Sequence, residues 1–410
     1  MPKISRFPAL SYRDFRLLWV GQFISIIGIQ MQIVALNWHI YLLTNSAIAL
    51  GLIGLTRSIP IIIFSLIGGS FADVLNRKKI MFITQSFLAV FALILAIATF
   101  TKNINPLIIY LMTFLSAIAT SFDTPARQAL IPNLVKKEHL ANAMSLNVIM
   151  FQVSMIVGPM IAGLLIAKYN IGNIYAINSI SYLAVVLSIV FMKTHGSVKD
   201  KQTVVSLNSI KEGIVFVKSK PIIWSTTLLD FFSTFFASVT ALFPIFAKDI
   251  LNVGPRGLGI LYASISAGAA ITGLVMAHLE SISKQGKILL LAISLYAIGT
   301  IIFGLSKSFP LSILALFIVG AGDSVSTIIR NTIRQLSTPD YIRGRMTSIN
   351  MIFFMGGPQL GEFQAGFLAA FLGAPIAVAI GGSATLLVVG IMAITVPVLR
   401  RYNNHKAITI

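Results

Sequence analysis

Cysteine is absent from the 410 residues, acidic side chains are scarce at 12, histidine occurs five times and tryptophan three. Without cysteine there is no disulfide framework and no thiolate to act as nucleophile or metal ligand. Charged residues of both signs make up only 10% of the chain, where an average soluble domain carries about 25%. So little charge excludes an ordinary soluble enzyme. The GxxxxGK[ST] pattern of a phosphate-binding loop and the HExxH pattern of a zinc site are also missing. The carboxylates are scattered singly and do not converge on an acid–base pair or a metal. Neither an enzyme activity nor a cofactor is expected.

What is present in abundance is apolar surface, at 56% of residues, together with a net charge of +19. Nucleic-acid binders gather their cations on one face, but here lysine and arginine punctuate long apolar runs, so no nucleic-acid partner is expected. Runs of roughly 20 apolar residues read as membrane-spanning helices. Twelve occur, in 17–43, 48–72, 80–100, 107–131, 143–167, 172–192, 222–247, 257–279, 288–306, 311–334, 346–371 and 375–399. The lipid bilayer is therefore the first partner. With both termini on one side, 25 of the 31 lysines and arginines fall on that side, five on the other, and Arg57 within a span. The positive-inside rule then makes the basic side cytoplasmic. The basic N-terminus followed by a long apolar stretch reads as a first span and not as a cleaved signal.

The longest polar interval, 194–220, separates an N-terminal half, 1–193, from a C-terminal half, 221–410. Within it Leu207, Ile210, Ile214 and Val217 recur at helical spacing between lysines, which predicts a short amphipathic helix on the membrane surface. Arg127, Ser145 and Asn147 recur 203 residues later as Arg330, Ser348 and Asn350, and Gly158-Pro159 has a counterpart in Gly357-Pro358. A duplicated six-helix unit is the economical reading. Two such halves rocking about a midplane site are how secondary transporters commonly alternate access.

Between spans two and three the stretch GGSFADVLNRKK is briefly acidic and then cationic. Gly68 and Gly69 would let a helix end approach a neighbour closely, Asp73 would suit the positive end of another helix, and Arg77 would reach Asp123 or Asp73. Such a cluster would latch the cytoplasmic side. An ordinary positive-inside loop accounts for the cations but leaves Asp73 and the glycines idle.

On these residues the chain resembles the major facilitator superfamily, and in particular its drug and siderophore exporter branch. GGSFADVLNRKK is similar to the superfamily signature, with Gly69, Asp73, Arg77 and Lys78 matching its key positions. VGPMIAG, Val157 to Gly163, resembles the Gly-Pro pattern of antiporters, although Gln152 and Ser154 stand where upstream glycines would be. SFDTPARQALIPNLV and LSTPDYIRGRMTSIN look like the branch's fourth-to-fifth and tenth-to-eleventh connections. The resemblance implies an all-α polytopic fold of twelve helices in two halves, lodged in a bacterial inner membrane and functional as a monomer. It also implies export of a small amphipathic organic substrate, with protons as the coupling ion. An importer, a lipid carrier of the same fold or a non-transporting sensor are the alternatives, and substrate-dependent flux separates the last from a carrier.

Ionisable residues at membrane depth are costly and usually functional. Glu362, flanked by Gly361 and Gln364, is a candidate for proton or cation coupling, or for a structural pair. Asp230 and Asp323 carry the same two readings. Arg57 would meet either Glu362 or an anionic substrate. Asp123 and Arg127 would form an i,i+4 pair or serve the latch. His39, beside Trp38 and Tyr41, suits either proton coupling or an interfacial aromatic belt. Gln22, Gln30 and Asn37 recur near one face of span one, where their amides would line a cleft, and the 28 phenylalanines would furnish an amphipathic cavity or plain lipid-facing filler. In span five, Gly158 and Gly163 would permit close packing and Pro159 a bend, either to seal a leak or as routine transmembrane composition.

Overall fold

A computed structural model describes residues 7–194, 196, 215–279, 282–339 and 343–403. Twelve long helices follow one another: α1 Arg13–Thr44, α2 Ala47–Val74, α3 Arg77–Phe100, α4 Pro106–Leu130, α5 Leu140–Ile166, α6 Gly172–Phe191, α7 Pro221–Phe236, α8 Gly254–Ala277, α9 Gln285–Leu305, α10 Phe309–Ser337, α11 Arg343–Leu372 and α12 Ala374–Thr395. Among the described residues, eleven helical segments are long and apolar enough to cross a membrane, and α11 adds a further helix of 30 residues. The protein is an all-α polytopic membrane protein. Most of the expected amphipathic linker, Leu207, Ile210 and Ile214 included, lies outside the described residues; Val217 is buried beside Ile223 and Met346.

Helix boundaries follow local chemistry. Asn76 caps α3, its Oδ1 accepting from the backbone N–H groups of Lys78 at 3.0 Å and Lys79 at 3.2 Å. Asn105 caps α4 through Ile108 N, with Pro106 at the first helical position, where its missing N–H costs nothing. A single residue, Gly373, joins α11 to α12 at φ +81°, a left-handed conformation that suits glycine.

The chain divides into two compact units, Met1–Thr44 with Ile59–Val204, and Asn45–Ser58 with Val205–Ile410. In the first, α1 packs on α4, α5 and α6, α3 on α4 and α6, and α5 on α6. In the second, α7 packs on α10, α11 and α12, α9 on α10 and α12, and α11 on α12. Each neighbour of the first set thus returns six helix numbers later. The first unit holds an apolar core at its basic end around Phe15, Leu18, Met81, Leu130 and Val185. In the second, Leu229, Leu289, Ile293, Ile333 and Val389 form the equivalent cluster.

Small residues let helices meet backbone to backbone. A Cβ on Gly68 of α2 would collide with Ser121 O of α4, whereas one on Gly69 would meet nothing within 4 Å, so only the first of the expected pair serves close approach. Gly158 of α5 faces α1 in the same way, with Ile27 O at 3.0 Å from where its Cβ would stand. Pro159 and Gly163 are buried and α5 continues through them.

The seventh span departs from the sequence expectation of one uninterrupted run. Helix α7 ends at Phe236, Ala237–Val239 is non-helical, and the chain resumes through short turns to a π-turn over Phe246–Ile250. Proline accounts for one of the carbonyls left free. Pro244 has no N–H to give the carbonyl of Thr240, four residues earlier. That carbonyl accepts from Tyr262 Oη of α8 at 2.9 Å. Ala237 O accepts from Tyr296 Oη of α9 at 3.1 Å, and Ser238 Oγ donates to Pro358 O of α11 at 2.9 Å. In a bilayer, backbone groups freed by a break need such partners.

Candidate functional site

Both arrangements of buried charge described first lie within the second unit. Helix α11 carries Glu362, half-buried, whose Oε1 accepts from Thr240 Oγ1 at 2.9 Å. The donor sits in the interrupted stretch after α7, so the break presents a hydroxyl to the carboxylate. On the other side runs the start of α2. Cβ atoms on Gly51 and Gly54 would stand 3.1 Å from Phe363 O and 2.9 Å from Glu362 Cβ, and one on Gly366 would stand 2.8 Å from the Cα of Gly51. Three glycines therefore draw the two helices together at this point. Arg57, one turn beyond Gly54, acts electrostatically on Glu362, and among the described residues no cation is in ion-pair contact with this carboxylate. Arg57 lies about 15 Å into α2 at 1.5 Å per residue, near the middle of a hydrocarbon layer of about 30 Å. On α11, Gln359 Oε1, one turn before Glu362, and Gln364 Oε1 are buried without a hydrogen-bond partner among the described residues.

The other cluster is tighter. Asp230 of α7 forms an ion pair through Oδ1 with Arg330 of α10, and their side chains are 3% and 2% exposed. Arg330 Nη2 also donates to Thr327 Oγ1 at 2.9 Å. Asp323, a little over one turn N-terminal to Thr327 on α10, lies in the field of both members of the pair, and so does Arg334. Two carboxylates and two guanidiniums thus share one interior region, formally neutral as a group. A buried pair of this kind is costly to break by removing one partner.

The first unit holds a smaller cluster. Asp123 Oδ1 accepts from Thr84 Oγ1 at 3.0 Å and Gln85 Nε2 at 2.9 Å, while Arg127 Nε stands 3.7 Å from Oδ2. The i,i+4 geometry is present. Arg77 does not reach either carboxylate: its Nε and Nη1 donate to the carbonyls of Ala72 at 3.1 Å and Ala129 at 2.9 Å. The reason is geometric, since one guanidinium spans the α2 C-terminus and the α4 C-terminus and satisfies carbonyls that lack helical donors. Lys78 Nζ donates likewise to Met192 O at 2.6 Å, at the end of α6. Asp73 is half-buried and has no ion pair among the described residues.

Along α1 the amides are buried within the first unit. Gln30 bonds to Met155 Sδ of α5, Asn178 Nδ2 donates to Gln32 Oε1 at 2.6 Å, and Gln22 Nε2 has no partner among the described residues. Asn37 is buried as well. His39 is buried, with Nδ1 3.1 Å from Tyr175 Oη and the two rings stacked.

Sequence reasoning singled out every carboxylate of these clusters but assigned no partner to Asp230 or Asp323, and it did not find Thr240 or Tyr262. The recurrence of Arg127 at Arg330 was the available signal for the first omission. Pro244 was the signal for the second.

Apolar helices throughout, a packing pattern that returns six helices later, glycine seams and charges held in the interior describe a membrane transporter built from two repeated units. The solved peptide transporter POT superimposes with a TM-score of 0.74 at 13% identity, covering 95% of each chain. The nucleoside transporter NupG gives 0.73 at 14%, covering 93% of this chain and 99% of that one; both likenesses concern the fold. The enterobactin exporter EntS of Shigella boydii serotype 18 and that of Escherichia coli O81 are each 27% identical over 393 residues, 95% of this chain and 93% of those proteins. Residues 4–408 match the transmembrane secretion effector family. The chain belongs to that family, within the drug and siderophore exporter branch of the major facilitator superfamily, and is a transporter and not an enzyme.

Proposed function

We propose that the protein exports a siderophore-like or drug-like amphipathic compound across a bacterial inner membrane by antiport with protons. Its two six-helix halves, 1–193 and 221–410, would alternate access as a monomer, with both termini cytoplasmic. Glu362 carries the proton in this reading. The observation that supports it is the contrast between the carboxylates: Glu362 is held by one neutral hydroxyl, whereas Asp230 is locked in a buried ion pair. A carboxylate whose direct partner is neutral can lose or gain a proton without stranding a cation in contact with it, while protonating Asp230 would strand Arg330. Arg57 is the cation whose charge acts on Glu362 from the neighbouring α2. The buried amide oxygens of Gln359 and Gln364 are suited to accept from the donor groups of a polar substrate. The export direction and the siderophore class rest on the likeness to the enterobactin exporters.

The test is flux in proteoliposomes that present the cytoplasmic face outward and enclose an acid lumen. Labelled catecholate siderophore, macrolide and lipophilic cation are offered outside. Outward-moving protons should then drive one of them into the lumen, saturably, and a protonophore should abolish the accumulation. Glu362→Gln, which keeps an acceptor for Thr240, should retain counterflow exchange and lose accumulation. Flux indifferent to the gradient would remove antiport, and wild-type accumulation by Glu362→Gln would remove this residue's role.

A further inference from the structure

At the basic end of the first unit, two grooves flank the last turns of α6. The larger, about 530 Å³, lies between α3 and α6 and is lined by Asn76, Lys78, Lys79, Phe82, Ile83 and Val190. The other, about 420 Å³, lies between α1 and α6 and is lined by Arg16, Val20, Ile24, Leu187 and Phe191. Both repeat one design. Lys78 and Phe82, and Lys79 and Ile83, are one helical turn apart on α3, and Arg16, Val20 and Ile24 follow at the same interval on α1. Cations therefore stand at the mouth and apolar side chains lie one or two turns deeper. Among the described residues the apolar members are left largely uncovered: Ile83 is 52% exposed, Val190 57% and Phe191 60%.

The cations also retain donors that no group among the described residues takes. Lys78 Nζ gives one of its three N–H bonds to Met192 O, and Lys79 is exposed. Arg16 gives one N–H to Leu10 O at 3.3 Å. Asp14, the carboxylate nearest Arg16 in sequence, is engaged elsewhere, its Oδ2 accepting from Lys193 N, Thr194 N and Thr194 Oγ1 at 2.6–3.0 Å. A ligand matched to such a groove has a negative head and a long apolar tail. Basic pockets between spanning helices select anionic headgroups in this way.

We propose that the α3–α6 groove is a binding site for an anionic phospholipid, its phosphate held by Lys78 and Lys79 and an acyl chain laid along Phe82, Ile83 and Val190, with the α1–α6 groove repeating the arrangement around Arg16. The lipid bridges α3 and α6 where Lys78 already ties their ends together, and so fixes that corner of the unit.

Because the chain has no cysteine, Ile83→Cys gives a unique position for a bimane label. The labelled protein is reconstituted in phosphatidylcholine with a small fraction of lipid brominated on its acyl chains, either phosphatidylglycerol or phosphatidylcholine. Leu107→Cys, on an exposed position of α4, serves as the reference label. Quenching at 83 should favour the anionic lipid over the neutral one well beyond the preference at 107. Removing charge should reduce the preference by about fivefold per lysine, in Lys79→Gln alone and further in Lys78→Gln/Lys79→Gln, while Lys78→Arg/Lys79→Arg should restore it. Equal quenching by the two lipids at 83, an equal preference at 107, or a preference that survives the glutamine variants would each overturn the proposal.

Discussion

Removing Asp230 leaves a guanidinium that is 2% exposed without its ion-pair partner, inside a helix bundle. Breaking a buried pair from one side costs about 3–5 kcal/mol, most of it the penalty of the uncompensated charge. Arg330 would keep Thr327 Oγ1 at 2.9 Å and the field of Asp323, which places Asp230→Leu near the lower end, about 3 kcal/mol. Arg330→Met has fewer compensations, because Asp230 and Asp323 would share the region with Arg334 as the remaining cation; a loss of about 4 kcal/mol is expected. The double change Asp230→Leu/Arg330→Met removes one charge of each sign and leaves Asp323 and Arg334 in balance. It should lose far less than the sum, roughly 1 kcal/mol, since apolar replacement of a whole buried pair is often nearly neutral. Denaturant unfolding of the four proteins in one detergent, followed by tryptophan emission and read as a double-mutant cycle, measures the coupling. Additive losses would refute the lock. Asp230→Asn adds a functional arm: wild-type stability with lost gradient-driven flux would transfer the proton from Glu362 to Asp230.

Asp123→Ala should cost about 1–3 kcal/mol in the same unfolding assay, because Thr84 and Gln85 lose their shared acceptor, while Asp123→Asn, which keeps an oxygen, should cost less. Gly54→Val would force a side chain into the space of Glu362, so a loss of about 1–3 kcal/mol is expected together with slowed flux; the neutral outcome would show that α2 and α11 are free to part there. Tyr175→Phe removes the hydroxyl that meets His39 and should lower stability by about 1 kcal/mol while leaving the stacked ring in place; an unchanged unfolding midpoint would show that the bond contributes nothing.

The spans were legible because a membrane imposes a length and a composition that few soluble segments imitate. Glu362, Asp230, Asp323 and Arg57 stood out for the same reason, as charges interrupting apolar runs. Their partners did not, since a sequence gives depth along a helix but not which neighbour faces it. Arg330 was visible as a repeat of Arg127, yet Arg127 turns to Asp123 on its own helix and Arg330 to another helix altogether. The two glycines of the charged hairpin show the same limit at finer grain. Gly68 and Gly69 are adjacent, and about 100° of helical rotation separates a residue against Ser121 from one facing open space. Helical periodicity could not decide which of the two faced α4, because the surrounding run is apolar on all sides.

The interruption of α7 makes one helix's integrity a property of three others. Ser238 is tied to α11, Thr240 to α8 and α11, and Ala237 to α9. Any movement that lifts Glu362 away from Thr240 is therefore felt at once in how the part of this span after the break is held, and the carboxylate becomes a report on the backbone as well as a charge. Substitutions at Tyr262 or Tyr296, whose hydroxyls hold the carbonyls of Thr240 and Ala237, would on this account act through the backbone, by loosening the peptide groups from which Thr240 is hung.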